Sequence, residues 1–190
     1  MSAAVTNMPD LPIADDIALK RSFFPGFLIG AECEYQLTDM VSVAAGLNYT
    51  HQGCKWKNYD MGNILQVKDI QTKLGYINLP VVANVYLFKG FAIKTGVQLG
   101  YLTNANSQFK IIYKTGTGPT QDTQADDNIL SDCNKLDVTI PFGASFELNE
   151  NLVIDARYHL GLTRINKDKD EDGDLRNRGF LVTIGYRFPL

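Results

Sequence analysis

Several features that mark common protein classes are missing from this chain of 190 residues. No run approaches the roughly 18 to 20 consecutive apolar residues that a transmembrane helix needs, which excludes membrane insertion as a helix. Lysine and arginine number 18 against 21 acidic residues, so the basic footprint of a nucleic-acid-binding protein is absent. The composition, 45% hydrophobic and 21% charged, predicts one folded domain over residues 1–190.

Cysteine is scarce and its spacing is uninformative. Cys33, Cys54 and Cys133 show no metal-ligand spacing, and an odd number cannot all pair within one chain. We therefore expect no metal site and no cofactor. Cys54 and Cys133 both lie at the long-loop ends of strands, and whether they pair is left open. The opening residues lack the basic segment, apolar run and cleavage site of a secretory signal, so we expect that any leader lies outside this sequence.

What the sequence does have is alternation of apolar with small or polar residues, the pattern of half-buried β-strands. Seven segments show it, namely residues 24–37, 41–53, 73–88, 91–113, 134–148, 151–164 and 178–188. Tight polar turns join alternate pairs, at Thr38-Asp39, Lys89-Gly90 and Asn149-Glu150, and the other connections are long, over residues 54–72, 114–133 and 165–177. Short turns on one side and long loops on the other are typical of transmembrane β-barrels.

In each segment the residues alternate between two faces, and the residues of one parity, that is, at every second position, carry no charge. A lipid-facing surface requires this, because a Lys or Arg at the bilayer midplane costs roughly 2 to 4 kcal/mol. Aromatic residues on this face form two groups a strand's depth apart, at Tyr35, Phe91, Phe146, Tyr186 and Phe188 and at Phe27, Tyr49, Tyr101 and Phe180. Alternation alone also allows a soluble lipocalin-like barrel that binds a hydrophobic ligand in an apolar lumen. The aromatic girdles favour the membrane barrel.

The other parity is small or polar and predicts a lumen plugged by charged side chains. The proposed lumen network consists of Glu32, Glu34, Lys94, Lys135, Asp137, Glu147, Asp155, Arg157, His159 and Arg187. Buried charges must be paired, so a structural plug is favoured over an ion path. A barrel of one chain needs an even number of strands, which predicts that Met1–Thr6 is the remaining part of an eighth, first strand.

Three segments resemble the outer-membrane protein β-barrel domain family of PorT-like proteins of Gram-negative bacteria. They are PGFLIGAECEYQLTDMVSVAAGLNYTHQG, YINLPVVANVYLFKGFAIKTGVQLGYL, with Pro80 in its Leu-Pro pair, and GFLVTIGYRF. The resemblance implies an eight-stranded outer-membrane barrel, and one type of member takes part in protein secretion. It also implies that Tyr186 and Phe188 belong to a final strand recognised by barrel assembly machinery, although Pro189 and Leu190 follow the expected terminal Phe.

Candidate chemical sites are weak. His159 could serve a lipid-modifying barrel enzyme, but no serine accompanies it in sequence, and His51 is interpreted as a rim residue. Residues 168–174, DKDEDGD, resemble the start of a calcium loop, yet the twelfth position is Gly179 where a bidentate Glu is required. Residues 115–127 lack the Gly-Lys-Ser/Thr of a phosphate-binding loop and are interpreted as a mobile loop.

The sequence therefore predicts an all-β, antiparallel up-and-down barrel in the bacterial outer membrane. We expect no enzymatic activity and a structural, envelope-interaction or export-assisting role. Its partners would be outer-membrane lipid, the assembly machinery, and envelope or secretion proteins bound through the long loops.

Overall fold

The computed structural model describes residues 3–6, 11–14, 17–19, 21–22, 24–60, 65–113, 121–167 and 175–188. Alternating side chains make the chain fold as strands, and no helix of the described residues is long and apolar enough to cross a membrane. The strands are β1 (Ala3–Thr6), β2 (Leu11–Ala14), β3 (Ile17–Leu19), β4 (Arg21–Ser22), β5 (Phe27–Thr38), β6 (Val41–Trp56), β7 (Tyr59–Asp60), β8 (Leu65–Phe88), β9 (Phe91–Tyr113), β10 (Gln121–Asn128), β11 (Leu136–Glu147), β12 (Leu152–Arg164) and β13 (Arg176–Tyr186).

Eight antiparallel strands run up and down, in the order β1, β13, β12, β11, β9, β8, β6 and β5. The prediction for the first strand holds, since Ala3–Thr6 pairs with β13 from Val182 to Gly179. The tight connection at Lys89-Gly90 is confirmed, with Gly90 at φ 82°, a left-handed conformation that glycine adopts without strain. The fold class and the antiparallel order are as the alternation predicts.

The strand boundaries agree with the predicted segments within one residue at the short turns. At the long loops the difference is largest for the end of β6 and the start of β8. Predicted loop 54–72 contains the end of β6, all of β7 and the start of β8, and predicted loop 114–133 contains β10. The interpretation of residues 115–127 as a mobile loop is therefore wrong for Gln121–Asp127, which pair with β9. Backbone pairing extends these strands well past the girdle of Tyr49 and Tyr101.

The apolar parity faces outward. Val81 is 52% exposed and Ile93 46%, whereas the inward Arg157 is only 7% exposed. A soluble barrel with an apolar lumen would reverse these values, so that alternative does not fit. Stacked or tilted ring pairs mark both ends of the outward face, including Phe88 with Phe91 at 4.9 Å between ring centroids and Phe27 with Tyr49 at 6.1 Å.

The inward face changes character at the long-loop end, where it becomes apolar. A buried cluster, here called the long-loop cluster, consists of Cys54, Trp56, Leu74, Tyr76, Leu102, Ala105, Cys133 and Ile165. Irregular pairing near Gly75 and Tyr76, and between Lys68 and Gln71, accompanies the change, and Asp69 between the latter two has φ 54°. Such bulges re-aim side chains without ending a strand.

Candidate functional site

The candidate site is the set of inward polar side chains in the middle of the strands. Strand β12 presents Asp155, Arg157 and His159 on one face because successive inward residues are two apart. Arg157 lies opposite Gly143 of β11, which in turn lies opposite Lys94 of β9. A side chain at Gly143 would start 2.0 Å from the Ala156 carbonyl oxygen, so only glycine allows this close approach.

Four of the predicted residues form a central ion cluster, consisting of Glu32, Lys94, Asp155 and Arg157. The Lys94 ammonium donates to Asp155 Oδ2 at 2.6 Å, and Arg157 Nη2 donates to the same oxygen at 2.9 Å. Arg157 Nη1 and Nη2 donate to the two carboxylate oxygens of Glu32 at 2.8 and 2.9 Å. Arg157 Nε also lies 2.7 Å from Asp155 Oδ1, close enough for attraction but without hydrogen-bond geometry.

The pairing of Arg157 with Glu32 joins distant parts of the chain. Glu32 lies on β5 and Arg157 on β12, 125 residues apart in sequence. Two parallel hydrogen bonds between a guanidinium and a carboxylate are strong and fix the orientation of both groups. The side chains of Lys94, Asp155 and Arg157 are buried, whereas that of Glu32 is partly exposed. The central ion cluster therefore places paired charges across the interior.

A second group of charges lies toward the short turns. Glu34 accepts hydrogen bonds from Ser42, from Asn84 at 3.0 Å and from the Tyr86 hydroxyl at 2.5 Å. Arg187 of the last segment donates to Glu147 at 2.6 Å and lies 3.5 Å from Glu34. This short-turn cluster connects β5, at one end of the strand order, with the segment after β13, which lies near the other end.

The predicted network is thus two clusters and not one, and three of its members belong to neither. Asp137 accepts hydrogen bonds from the neutral groups of Thr163 at 2.7 Å and Asn177 at 3.0 Å. Lys135 was assigned to the lumen by parity, but it precedes β11, is exposed and forms no ion pair within the described part of the chain. That assignment is wrong, because parity holds only inside a strand.

His159 is the third residue of the predicted network that belongs to neither cluster. It lies opposite Pro141 of β11 and Gly179 of β13, neither of which has a polar side chain. Its Nε2 atom is buried and has no hydrogen-bond partner among the described residues. No hydroxyl or thiol of the described residues is therefore hydrogen-bonded to His159 Nε2, as the nucleophile of an acyl-transfer site would be.

A cavity of about 30 Å³ lies between the central ion cluster and the long-loop cluster. Its wall is of mixed character: Thr50, Gln52, Asn78, Gln98, Asp137, Thr139, His159, Asn177 and Arg178 line it together with Gly179, Phe180 and Leu181. Asn177 donates to the Tyr76 hydroxyl at 3.0 Å as well as to Asp137. The sequence reasoning missed Asn177 because it fell in a predicted loop, whereas Asn78 and Gln98 had the inward parity.

The remaining candidates carry little chemistry. Among the residues that the structure describes, no group of three or more His, Cys, Asp or Glu could hold a metal ion. The calcium-loop resemblance at 168–174 lies outside the described residues.

Cys54 and Cys133 are both buried in the long-loop cluster, and no disulfide joins them. Burial raises the pKa of the Cys133 thiol, and the neighbouring Asp132 carboxylate acts in the same direction. His51 stacks on Phe27 at 5.5 Å, consistent with a rim position.

Comparison with known proteins gives a consistent picture. Residues 7–167 match the family described as outer membrane protein beta-barrel domain. No curated protein matches the chain. Two crystal structures of Ail, the attachment invasion locus protein of Yersinia pestis, are similar. One, in complex with the heparin analogue sucrose octasulfate, has TM-score 0.50 and 15% identity, with 98% of this chain and 94% of that chain covered.

The other Ail structure has TM-score 0.45 and 13% identity, with 98% and 93% of the two chains covered. The NanC porin covers 98% of this chain and 99% of its own, at 8% identity and TM-score 0.29. At 15% identity the likeness to the Ail complex concerns the fold alone, and the likenesses to the other Ail structure and to NanC carry no argument.

Proposed function

This chain belongs to the outer membrane protein β-barrel domain family and lies in the bacterial outer membrane, and from that premise we propose that it is a closed barrel. Its lumen is plugged by paired side chains, and its long-loop end makes contacts in the envelope or at the cell surface. In this proposal the barrel is an anchor and scaffold, and solute does not pass through it.

The observation that carries the plug is the contact of Arg157 with Glu32. An eight-stranded barrel has an interior only just wide enough for side chains to fill it. A bidentate ion pair from β12 to β5 occupies that width, and Lys94 with Asp155 fills the same level. Ions or solutes would have to break buried pairs to pass, because each group freed of its partner is a costly uncompensated charge.

The interaction role is supported by strand length. About 9 to 11 residues suffice for a tilted strand to cross a bilayer. Strand β8 has 24 residues and β9 has 23, so both extend far beyond the membrane at the long-loop end. Strand β10 adds an outer edge on which Asp126 and Asp127 are exposed. That acidic edge gives no support for carrying the polyanionic ligand of the Ail complex over to this chain.

The barrel assembly machinery is a partner in the proposal, and export assistance is a further role within it. The final aromatic pair, Tyr186 and Phe188, is exposed on the outward face at the short-turn end, with ring centroids 4.8 Å apart. This placement suits recognition of β13 by the barrel assembly machinery. An export-assisting role would use the long-loop or short-turn surfaces and not the lumen.

Single-channel recording in planar bilayers tests the plug. We expect no steady conductance from the protein, and frequent openings from the double variant Glu32→Ala/Arg157→Ala, which removes the pair that spans the lumen. Lys55→Ala is the control, because its ion pair with Asp69 is exposed at 3.6 Å and lies outside the lumen. Steady conductance of the unmodified protein would overturn the proposal.

A further inference from the structure

One carboxylate of the lumen differs from all the others in its surroundings. Asp137 is only 6% exposed, and its oxygens are contacted by the neutral Thr163 hydroxyl and Asn177 amide. Asp155, equally buried, is held by both Lys94 and Arg157. Asp137 forms no ion pair with any lysine or arginine that the structure describes. A buried ionised carboxylate without a counter-charge is strongly unfavourable.

The cavity of about 30 Å³ adjoins Asp137, and most of the residues that line it have polar or charged side chains. Thr139, only 3% exposed, lines it, and its hydroxyl has no hydrogen-bond partner in the described chain. The strand register explains this orphaned group, because Thr139 lies opposite Gly161, which offers no side chain, and Gln98. His159 Nε2, the other unpartnered buried atom of the wall, lines the same cavity.

We propose that this cavity binds a small monovalent cation of about the size of Na⁺, which supplies the counter-charge of Asp137. The neutral oxygens of Thr139, Gln98 and Asn78 complete its coordination. Carboxylate, hydroxyl and amide oxygens are the ligands that hard cations prefer. The cavity has room for one or two water-sized occupants.

The single negative charge of Asp137 selects the occupant. A water molecule alone would satisfy Thr139 and His159 but would leave the Asp137 charge uncompensated. A divalent ion would leave a buried excess of positive charge, because Asp137 is the only carboxylate in the described wall. Arg178, the one basic side chain that lines the cavity besides His159, is exposed and forms no ion pair with Asp137. The site goes beyond the proposed plug and does not depend on it.

Thermal unfolding of the purified, folded protein in detergent tests the proposal, with NaCl exchanged for N-methylglucamine chloride at constant ionic strength. A ligand that binds only the folded state stabilises it in proportion to the logarithm of its concentration. We expect Tm to rise by about 3 to 6 °C for each tenfold increase in Na⁺ above the dissociation constant. N-methylglucamine is too large for the cavity and should have no such effect.

The variants separate a bound cation from a general salt effect. Asp137→Asn should abolish the dependence on Na⁺, and Asp127→Asn, an exposed carboxylate on β10, should keep it. Thr139→Val, which removes only the orphaned hydroxyl, should shift the Na⁺ response to higher concentration by about tenfold, even if Asp137→Asn fails to fold. Equal Tm values in the two salts, or an Na⁺ response retained in Asp137→Asn, would overturn the proposal. The proposal would also be overturned if, with Na⁺ present, the infrared spectrum showed the carbonyl band of a protonated carboxyl and this band disappeared in Asp137→Asn.

Discussion

The middle of the strands and their long-loop ends have opposite rules for which side chains face inward. In the middle of β8, the inward Asn78 and Asn84 are buried and the outward Leu79 and Val85 are exposed. Toward the long-loop end of the same strand, Leu74 and Tyr76 are buried inward instead, as in a soluble protein. The change comes within a few residues, at the level of the outer aromatic girdle.

The difference shows that the surroundings of a strand, lipid or water, decide whether its polar or its apolar side chains face inward. In lipid, no hydrophobic force drives apolar side chains inward, and an outward charge is costly. Above the lipid, burial of apolar surface stabilises the long-loop cluster by the ordinary hydrophobic effect. One continuous strand can therefore serve two environments if its composition switches, and bulges near Asp69 and Gly75 help to re-aim the side chains.

The largest expected effect concerns the inside of the membrane region. Arg157→Leu leaves Glu32 without its ion-pair partner and Asp155 with Lys94 alone. Removing one member of a buried ion pair costs about 3 to 5 kcal/mol of folding free energy. Lys55→Leu breaks the exposed pair with Asp69 and should cost about 0 to 1 kcal/mol. Urea unfolding in detergent or vesicles measures both. Equal losses would mean that the central ion cluster contributes no more than a surface pair.

The apolar inside of the long-loop end should be nearly as sensitive. Leu74 is 0% exposed in the long-loop cluster, so Leu74→Ala should cost about 2 to 5 kcal/mol through lost contacts and a cavity. Leu79, on the same strand, is 53% exposed on the outward face. Leu79→Ala should cost less than half as much in the same unfolding assay, because lipid or detergent fills the space. A larger loss of folding free energy for Leu79→Ala than for Leu74→Ala would contradict the contrast between the two regions of β8.

Charge on the outward face provides a third contrast. Val81→Lys places an ammonium near the middle of the outward apolar face and should cost about 2 to 4 kcal/mol. Gln71→Lys, on the part of β8 beyond the girdle, loses a neutral hydrogen bond to Gln108 and places a lysine opposite Lys55, so it should cost no more than about 1 kcal/mol. Folding equilibria into lipid vesicles give both values. If Val81→Lys is as harmless as Gln71→Lys, the outward face does not contact acyl chains.

The smallest effect concerns the thiols. Because burial raises the pKa of Cys133, less of its reactive thiolate is present near pH 8. A water-soluble maleimide should therefore label Cys133 slowly in the folded protein and rapidly after unfolding, with the folded rate rising as pH increases. Mass spectrometry of the labelled peptide follows the reaction. Fast labelling in the folded state would show that the long-loop cluster is open.

Much of this arrangement could be predicted from the sequence, because alternation determines strands and faces together. The turn at Lys89-Gly90 and the strand starts at Val41 and Phe91 were predicted to the residue. The outward-facing residues can be identified from one feature alone, the absence of charge at every second position of each strand. Within strands, parity also placed Glu32, Lys94, Asp155 and Arg157 correctly on one face.

The errors lie where period two breaks down. Residues 65–72 contain Lys68, Asp69 and Gln71 around a bulge, so their pattern is that of a loop although they pair with β9. Strand β10 is rich in Asp and Gln, residues with low strand propensity, and forms only because β9 offers an edge. Parity fails for Lys135 because this residue precedes its strand, and it does not apply to Asn177 because the predicted loop 165–177 contains that residue. The pairing partners themselves depend on register across the sheet, which no local pattern contains.

The orientation of the two faces is the central claim, and spin labels on β8 test it most directly. In a background with Cys33, Cys54 and Cys133 replaced by alanine, single cysteines at Val81 and at Gln71 carry a nitroxide in lipid vesicles. The label at Val81 should be relaxed by oxygen, which concentrates in lipid, and not by a water-soluble nickel complex, and the label at Gln71 should show the reverse. Relaxation of the Val81 label by the nickel complex would contradict the account.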